Sequence, residues 1–259
     1  MDTGQHSAPA PEPRSDSAAV AARADNQTPG LFGQTPWQTV GPFFHFGLPW
    51  DGCADLTGPS QTGGRPDLMP TGYAALRGPE RSRAAPPMGE RLQLTGYVFD
   101  AQGRPVPDVL LEIWQANASG YYRGSGFVGR GSASIDEDFF GFGRAATAED
   151  GSFCFRTIRP GRVHFKAAAG ALQSPHIALG VLGRGLLKRL TTRIYFDDEP
   201  SNAEDPILGL VPAHRRATLM AQRIDATATG AAGPSTDTRA HYRFDVRLQG
   251  ERETVFFDY

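Results

Sequence analysis

Alternation of apolar and polar positions marks strands along most of the chain after residue 90. Leu92, Leu94 and Tyr97–Phe99 form a run that Asp100-Ala101-Gln102-Gly103, a turn sequence, brings to a stop. Val109, Leu111 and Ile113 then alternate with Leu110, Glu112 and Trp114, the two-residue period of a strand. A second turn, Glu149-Asp150-Gly151, feeds a strand with Phe153 and Phe155 on one face and Cys154 and Arg156 on the other. Ile177, Leu179 and Val181 predict another strand, and Gly183-Arg184-Gly185 turns the chain into Leu187–Phe196. Near the end, Tyr242, Phe244, Val246 and Leu248 alternate with charged residues, and Gln249-Gly250-Glu251 returns the chain into Thr254–Phe257. Only Pro212–Ile224 has a helical spacing, with proline near its first turn. Many short strands, frequent turns and one short helix predict an all-β fold, an antiparallel sandwich or barrel.

The first 90 residues have a different texture. Residues 1–30 are rich in Ala, Pro, Asp and Ser and contain no aromatic residue, Leu or Ile. Such a segment buries too little apolar surface to offset its ordering entropy, so it is predicted to be a disordered tail. From Leu31 the chain gathers Phe32, Trp37, Phe43, Phe44, Phe46 and Trp50 between Pro and Gly residues, which predicts an extended arm laid on an apolar surface. Residues 51–90 return to Gly/Pro/Arg-rich loop, with a short helical turn predicted around Leu68–Leu76. The predicted organisation is a tail at 1–30, an arm with loops laid on an apolar surface at 31–90, and a β-sandwich domain at 91–259.

A net charge of −2 over 259 residues excludes general nucleic-acid binding through a basic footprint. No apolar run approaches the roughly 20 residues that span a bilayer. The two cysteines, Cys53 and Cys154, make no disulfide framework, and the first 30 residues lack the basic and apolar regions of a secretory signal. Together these point to the cytoplasm. Gly124-Ser125-Gly126-Phe127-Val128-Gly129 spells a dinucleotide motif, but Arg130-Gly131-Ser132-Ala133-Ser134 after it has no helical apolar period, so it is predicted to be a plain loop.

The most informative segment is Leu94–Tyr122, LTGYVFDAQGRPVPDVLLEIWQANASGYY. Its strand, Gly-x-Pro-Val turn, Ile-Trp-Gln-Ala-Asn strand and Gly-x-Tyr resemble the signature of the intradiol ring-cleavage dioxygenases. The resemblance implies a transthyretin-like β-sandwich and a non-haem Fe(III) centre held by two Tyr and two His. Phenolate and imidazole donors suit ferric iron. Carried over one by one, the first Tyr falls on Tyr122, which is present. The second, placed by Arg156-Thr157-Ile158-Arg159-Pro160-Gly161, falls on Val163. The His-x-His pair falls on His176 and Ala178, so one imidazole is kept and one lost. The Arg that catalytic members place three residues before the first His is Gln173 here. His164, one residue past the missing Tyr, is a weak substitute, because a one-residue step along an extended chain aims it to the other face. Two remaining donors do not hold catalytic iron, so no metal and no catalytic residue are assigned to this chain alone.

The remainder resembles the non-iron, alpha-type chain of two-chain members of that family. Thr35-Pro36-Trp37-Gln38-Thr39-Val40-Gly41-Pro42-Phe43-Phe44 matches their arm, Leu182-Gly183-Arg184-Gly185 a pocket turn, and Arg193–Glu199 and Tyr242–Asp258 their later strands. The resemblance implies that Fe(III) is held by a homologous beta chain, and that Thr39, Gly41, Pro42 and Arg184 line its pocket. The implied substrates are a small carboxylated aromatic diol and dioxygen, with ring opening between the two hydroxylated carbons. A guanidinium suits such a carboxylate, Gly41 lets backbone approach a flat ring, and Pro42 fixes the arm's direction. Two other readings stand beside this one: a self-sufficient dioxygenase for catechol or another diol, and a non-catalytic β-sandwich binding module.

Overall fold

Strand β1 (Arg91–Phe99) organises the sheet because it buries every second side chain, Leu92, Leu94 and Val98 among them. The computed structural model describes residues 38–41, 43–48, 52–58, 87–122, 139–165, 170–224 and 239–258. The tail at 1–30, the segment around Leu68–Leu76 and the Gly124–Gly129 motif lie outside the described residues, as does Pro42. Among the described residues ten further strands come after β1: β2 (Leu110–Gln115), β3 (Phe142–Ala146), β4 (Ser152–Ile158), β5 (Val163–His164), β6 (Leu172–Gln173), β7 (His176–Leu182), β8 (Leu190–Phe196), β9 (Met220–Ile224), β10 (Ala240–Arg243) and β11 (Val246–Arg247). They run in the order β11-β1-β10-β9-β8-β7-β2-β3, with β4 added on β1 and β5–β6 as a separate hairpin.

The alternation read from the sequence sets the two faces. Phe153 and Phe155 are buried while Cys154 and Arg156 are exposed, and Ile177, Leu179 and Val181 join Leu111 and Ile113 in the core. Residues 53–56 close the gap between β3 and β4. The Arg144 amide donates to the Cys53 carbonyl at 2.9 Å, the Arg156 amide to Ala54 at 2.9 Å, and the Leu56 amide to Arg156 at 2.7 Å. Leu56 is thereby sealed in the core at 1% exposure, so this part of the 31–90 segment completes its own chain's sandwich.

Two expectations need correction. The sandwich is mixed, not purely antiparallel: β1 pairs in parallel with β10 and β11, and β8 with β9. The helix expected over Pro212–Ile224 is a 3-10 segment at Ala213–Leu219 leading into strand β9. Sheet pairing overrides the weak helical period here, because Met220–Ile224 fills the slot between β8 and β10 and satisfies the edges of both. The short helices described are all of the 3-10 type. The returning segment at Thr254 is held to Arg247 by two hydrogen bonds without forming a strand.

Candidate functional site

Strand β7 has two faces with separate fates. Ile177, Leu179 and Val181 face the core, whereas His176, Ala178 and Gly180 lie on the opposite face. Cross-strand register places Trp114 and Arg193 on either side of Ala178, and Phe142 beside Trp114. Tyr122 reaches this face through a tight turn after β2. The Asn117 side chain accepts from the Ser119 and Tyr121 amides, both at 3.0 Å, and Gly120 takes φ +82°, where a Cβ would collide with the Arg162 carbonyl. The Tyr122 ring then stacks on Trp114 with centroids 5.9 Å apart.

The two side chains that the resemblance singled out as retained donors meet. The Tyr122 hydroxyl lies 3.4 Å from His176 Nε2, and His176 Nδ1 lies 2.7 Å from the Ser174 carbonyl. A carbonyl only accepts, so Nδ1 carries the proton and Nε2 presents its lone pair to the Tyr122 hydroxyl. Burial, reinforced by the Arg193 cation, lowers the His176 pKa to about 4 and keeps the ring neutral. Beside it the buried Tyr195 hydroxyl donates to Asp205 at 3.2 Å; burial, then the Asp205 charge, pushes the Tyr195 pKa up.

The other two positions at which the resemblance would place donors carry none. Val163 and Ala178 are half-buried, and Gln173, the register partner of Val163, accepts from Arg193 at 2.7 Å. His164 is exposed and pairs with Leu172 on the hairpin. Among the described residues no group of three or more His, Cys, Asp or Glu side chains could share a metal ion. One phenol and one imidazole are too few donors for Fe(III), which needs several anionic or neutral ligands.

The arm residues gather elsewhere. Thr39 Oγ1 accepts from the Gly185 amide at 2.9 Å, which seats the arm on the turn that carries Arg184. Gly41 is exposed, with nothing within 4 Å of where a Cβ would stand. Arg184 is paired with Asp108 at 3.0 Å, both well exposed. Thr39 and Arg184 therefore come together, and so do Tyr122 and His176, but the two pairs are far apart. His176 opens β7 and Arg184 lies just past its end, and seven residues of strand separate the ends by roughly 20 Å. Sequence reasoning missed Asp108 and Arg193. Asp108 has φ +62°, which no local pattern announces. Arg193 was visible as an arginine one strand period from Tyr195, on the same face.

Residues 66–250 match a family model described as Dioxygenase. The chain is 38% identical over 232 residues to the protocatechuate 3,4-dioxygenase alpha chain of Pseudomonas putida, covering 88% of this chain and 98% of that one. It is 40% identical to the alpha chain of the same name from Burkholderia cepacia, covering 87% and 97%. The Burkholderia cepacia beta chain is 36% identical over 169 residues, covering 65% of this chain and 68% of that one. The chain thus belongs to the intradiol dioxygenase family, in the group of the protocatechuate 3,4-dioxygenase alpha chains.

Proposed function

We propose that this chain is the metal-free half of a two-chain, cytoplasmic dioxygenase that opens protocatechuate to 3-carboxy-cis,cis-muconate, and that a homologous beta chain holds the Fe(III). The observation that carries this reading is the separation of the two pairs on β7. The arm and Arg184 stand roughly 20 Å from Tyr122 and His176, so they serve a centre other than this chain's own. Their exposure fits a wall offered to a neighbour. In that role Thr39 anchors the arm, Gly41 leaves a side-chain-free approach to a flat ring, and Arg184 attracts the ring carboxylate. The partner's iron supplies the activation of the diol toward dioxygen; this chain supplies shape and charge.

The test is to purify the full chain alone and together with its beta chain, and to measure iron content and dioxygen uptake. The complex is expected to contain one iron per pair and to consume dioxygen with protocatechuate, while the chain alone does neither. Stoichiometric iron and ring opening by the single chain would establish the self-sufficient reading instead. Assembly without any turnover would favour a binding module.

A further inference from the structure

The outward face of β2, β3, β7 and β8 carries an open cavity of about 370 Å³. One wall is aromatic: Trp114 and Phe142 stand tilted against each other with ring centroids 6.2 Å apart. The floor is nearly bare backbone, because Ala178 and Gly180 supply a single methyl group between them. Opposite the rings, Arg189 crosses Gly180 so closely that a Cβ there would collide with its guanidinium. Thr191, the register partner of Gly180, adds a hydroxyl. The fold does not use up this guanidinium. Its Nη2 lies 3.2 Å from Glu112 Oε2, and Arg144 holds Oε1 of the same carboxylate at 2.7 Å. Arg189 Nε is sealed from solvent and has no hydrogen-bond partner among the described residues. A guanidinium has five N–H donors, so one shared carboxylate leaves donors unclaimed, and an unpaired buried donor costs stability.

We propose that this cavity binds a small aromatic carboxylate without any metal, its ring against Trp114 and Phe142 and its carboxylate at Arg189. Size limits the ligand: 370 Å³ is at the small end of the roughly 300–1,000 Å³ of small-molecule sites, which suits one ring. Shape makes it flat, since the floor at Ala178 and Gly180 has almost no side chain and two aromatic rings offer edges and faces to a third. Charge makes it a carboxylate, because a guanidinium with spare donors recognises that group by paired N–H contacts. An inorganic anion would leave the aromatic wall unused, and an uncharged ring would leave the cation unused. The cavity lies midway along β7, whereas Arg184 lies past the end of that strand. It is therefore separate from the wall offered to the partner, and it stands wherever the iron is held.

The experiment titrates the full-length chain, purified alone, with benzoate, benzamide and inorganic phosphate, followed by calorimetry and by backbone amide shifts. Benzoate is expected to saturate one site, with the largest shifts at Ala178, Gly180, Arg189 and Thr191. It should bind about tenfold or more tighter than benzamide, which lacks the charge, and than phosphate, which lacks the ring. Arg189→Met keeps the apolar stem and leaves Glu112 its contact with Arg144, while Ala178→Leu fills the floor and keeps the charge. Each should weaken benzoate by about tenfold, and a thermal melt verifies that each variant folds. Equal affinity for benzoate and either control overturns the proposal, and so does unchanged affinity in either folded variant. Shifts centred on Arg184 and Gly185, or no saturation by about 10 mM benzoate, overturn it as well. None of these outcomes touches the partner's iron, which the metal content of the two-chain complex tests separately.

Discussion

Replacing Arg159 with Met should cost the fold about 3 kcal/mol, because this one guanidinium joins three strands. It stands just past the end of β4, and its side chain is 17% exposed. One nitrogen donates to Asp198 at 3.1 Å and to the Tyr242 hydroxyl at 2.6 Å, the other to Glu199 at 3.1 Å. The guanidinium also stands 4.8 Å over the Phe196 ring. Charge-assisted hydrogen bonds contribute about 1.5–3 kcal/mol each, and breaking a fully buried pair costs about 3–5 kcal/mol. Partial exposure and the remaining Arg223 contact to Asp198 at 2.9 Å pull the sum down to about 3 kcal/mol. For a domain of this size that lowers the melting temperature by about 6–12 °C. Met keeps the apolar stem, so the loss isolates the charge. The effect should depend on pH. Burial works against ionisation of Asp198 and Glu199, but hydrogen bonds from Arg223 and Tyr242 to Asp198, and from Ser201 to Glu199, together with Arg159 at both, hold their pKa values below normal. Stability from such carboxylates is present above their unfolded pKa, near 4, and is lost as pH falls through the lowered folded values. Melting curves of parent and variant should therefore differ most near pH 7 and converge as the carboxylates take up protons. A shift under about 2 °C at pH 7, or a gap that does not narrow in acid, would refute the reasoning.

Gly96→Ala should be more damaging than its size suggests, since the added Cβ collides with the Phe244 carbonyl where β1 meets the β10–β11 bend; the soluble yield and melting temperature of the variant measure this. In the two-chain complex, Arg184→Ala should lower kcat/KM for protocatechuate about tenfold to a hundredfold more than for uncharged catechol, and equal losses would make Arg184 structural. Asp108→Asn removes the anion that Arg184 now contacts at 3.0 Å and should shift the same ratio toward protocatechuate. Thr39→Val deletes the acceptor of the Gly185 amide and should raise KM while leaving the iron content of the complex unchanged, as steady-state kinetics and metal analysis will show.

Strands with one wet and one buried face were legible because their side chains alternate, as in β4 and β7. Strand β3 was not, since Phe142-Gly143-Arg144-Ala145-Ala146 puts its smallest residues toward the core, where Gly143 leaves room for Leu56. The helix expected over Pro212–Ile224 failed for a non-local reason: two distant strands left an open slot that only an extended segment could fill. At the site, motif spacing singled out Tyr122 and His176, whose side chains the fold does bring within 3.4 Å of each other. The Gln173–Arg193 bond escaped because it joins residues 20 positions apart across a sheet, and only register brings them together. The same holds for Thr39 and Gly185, which are 146 positions apart.

An iron-edge anomalous map from a crystal of the two-chain complex tests the central claim most directly, because it locates every iron relative to both chains. The account predicts a single iron peak per pair, inside the partner, with Thr39 and Arg184 of this chain facing its substrate side and no peak between Tyr122 and His176. A peak at Tyr122 and His176, or an iron centre remote from Thr39 and Arg184, would contradict it.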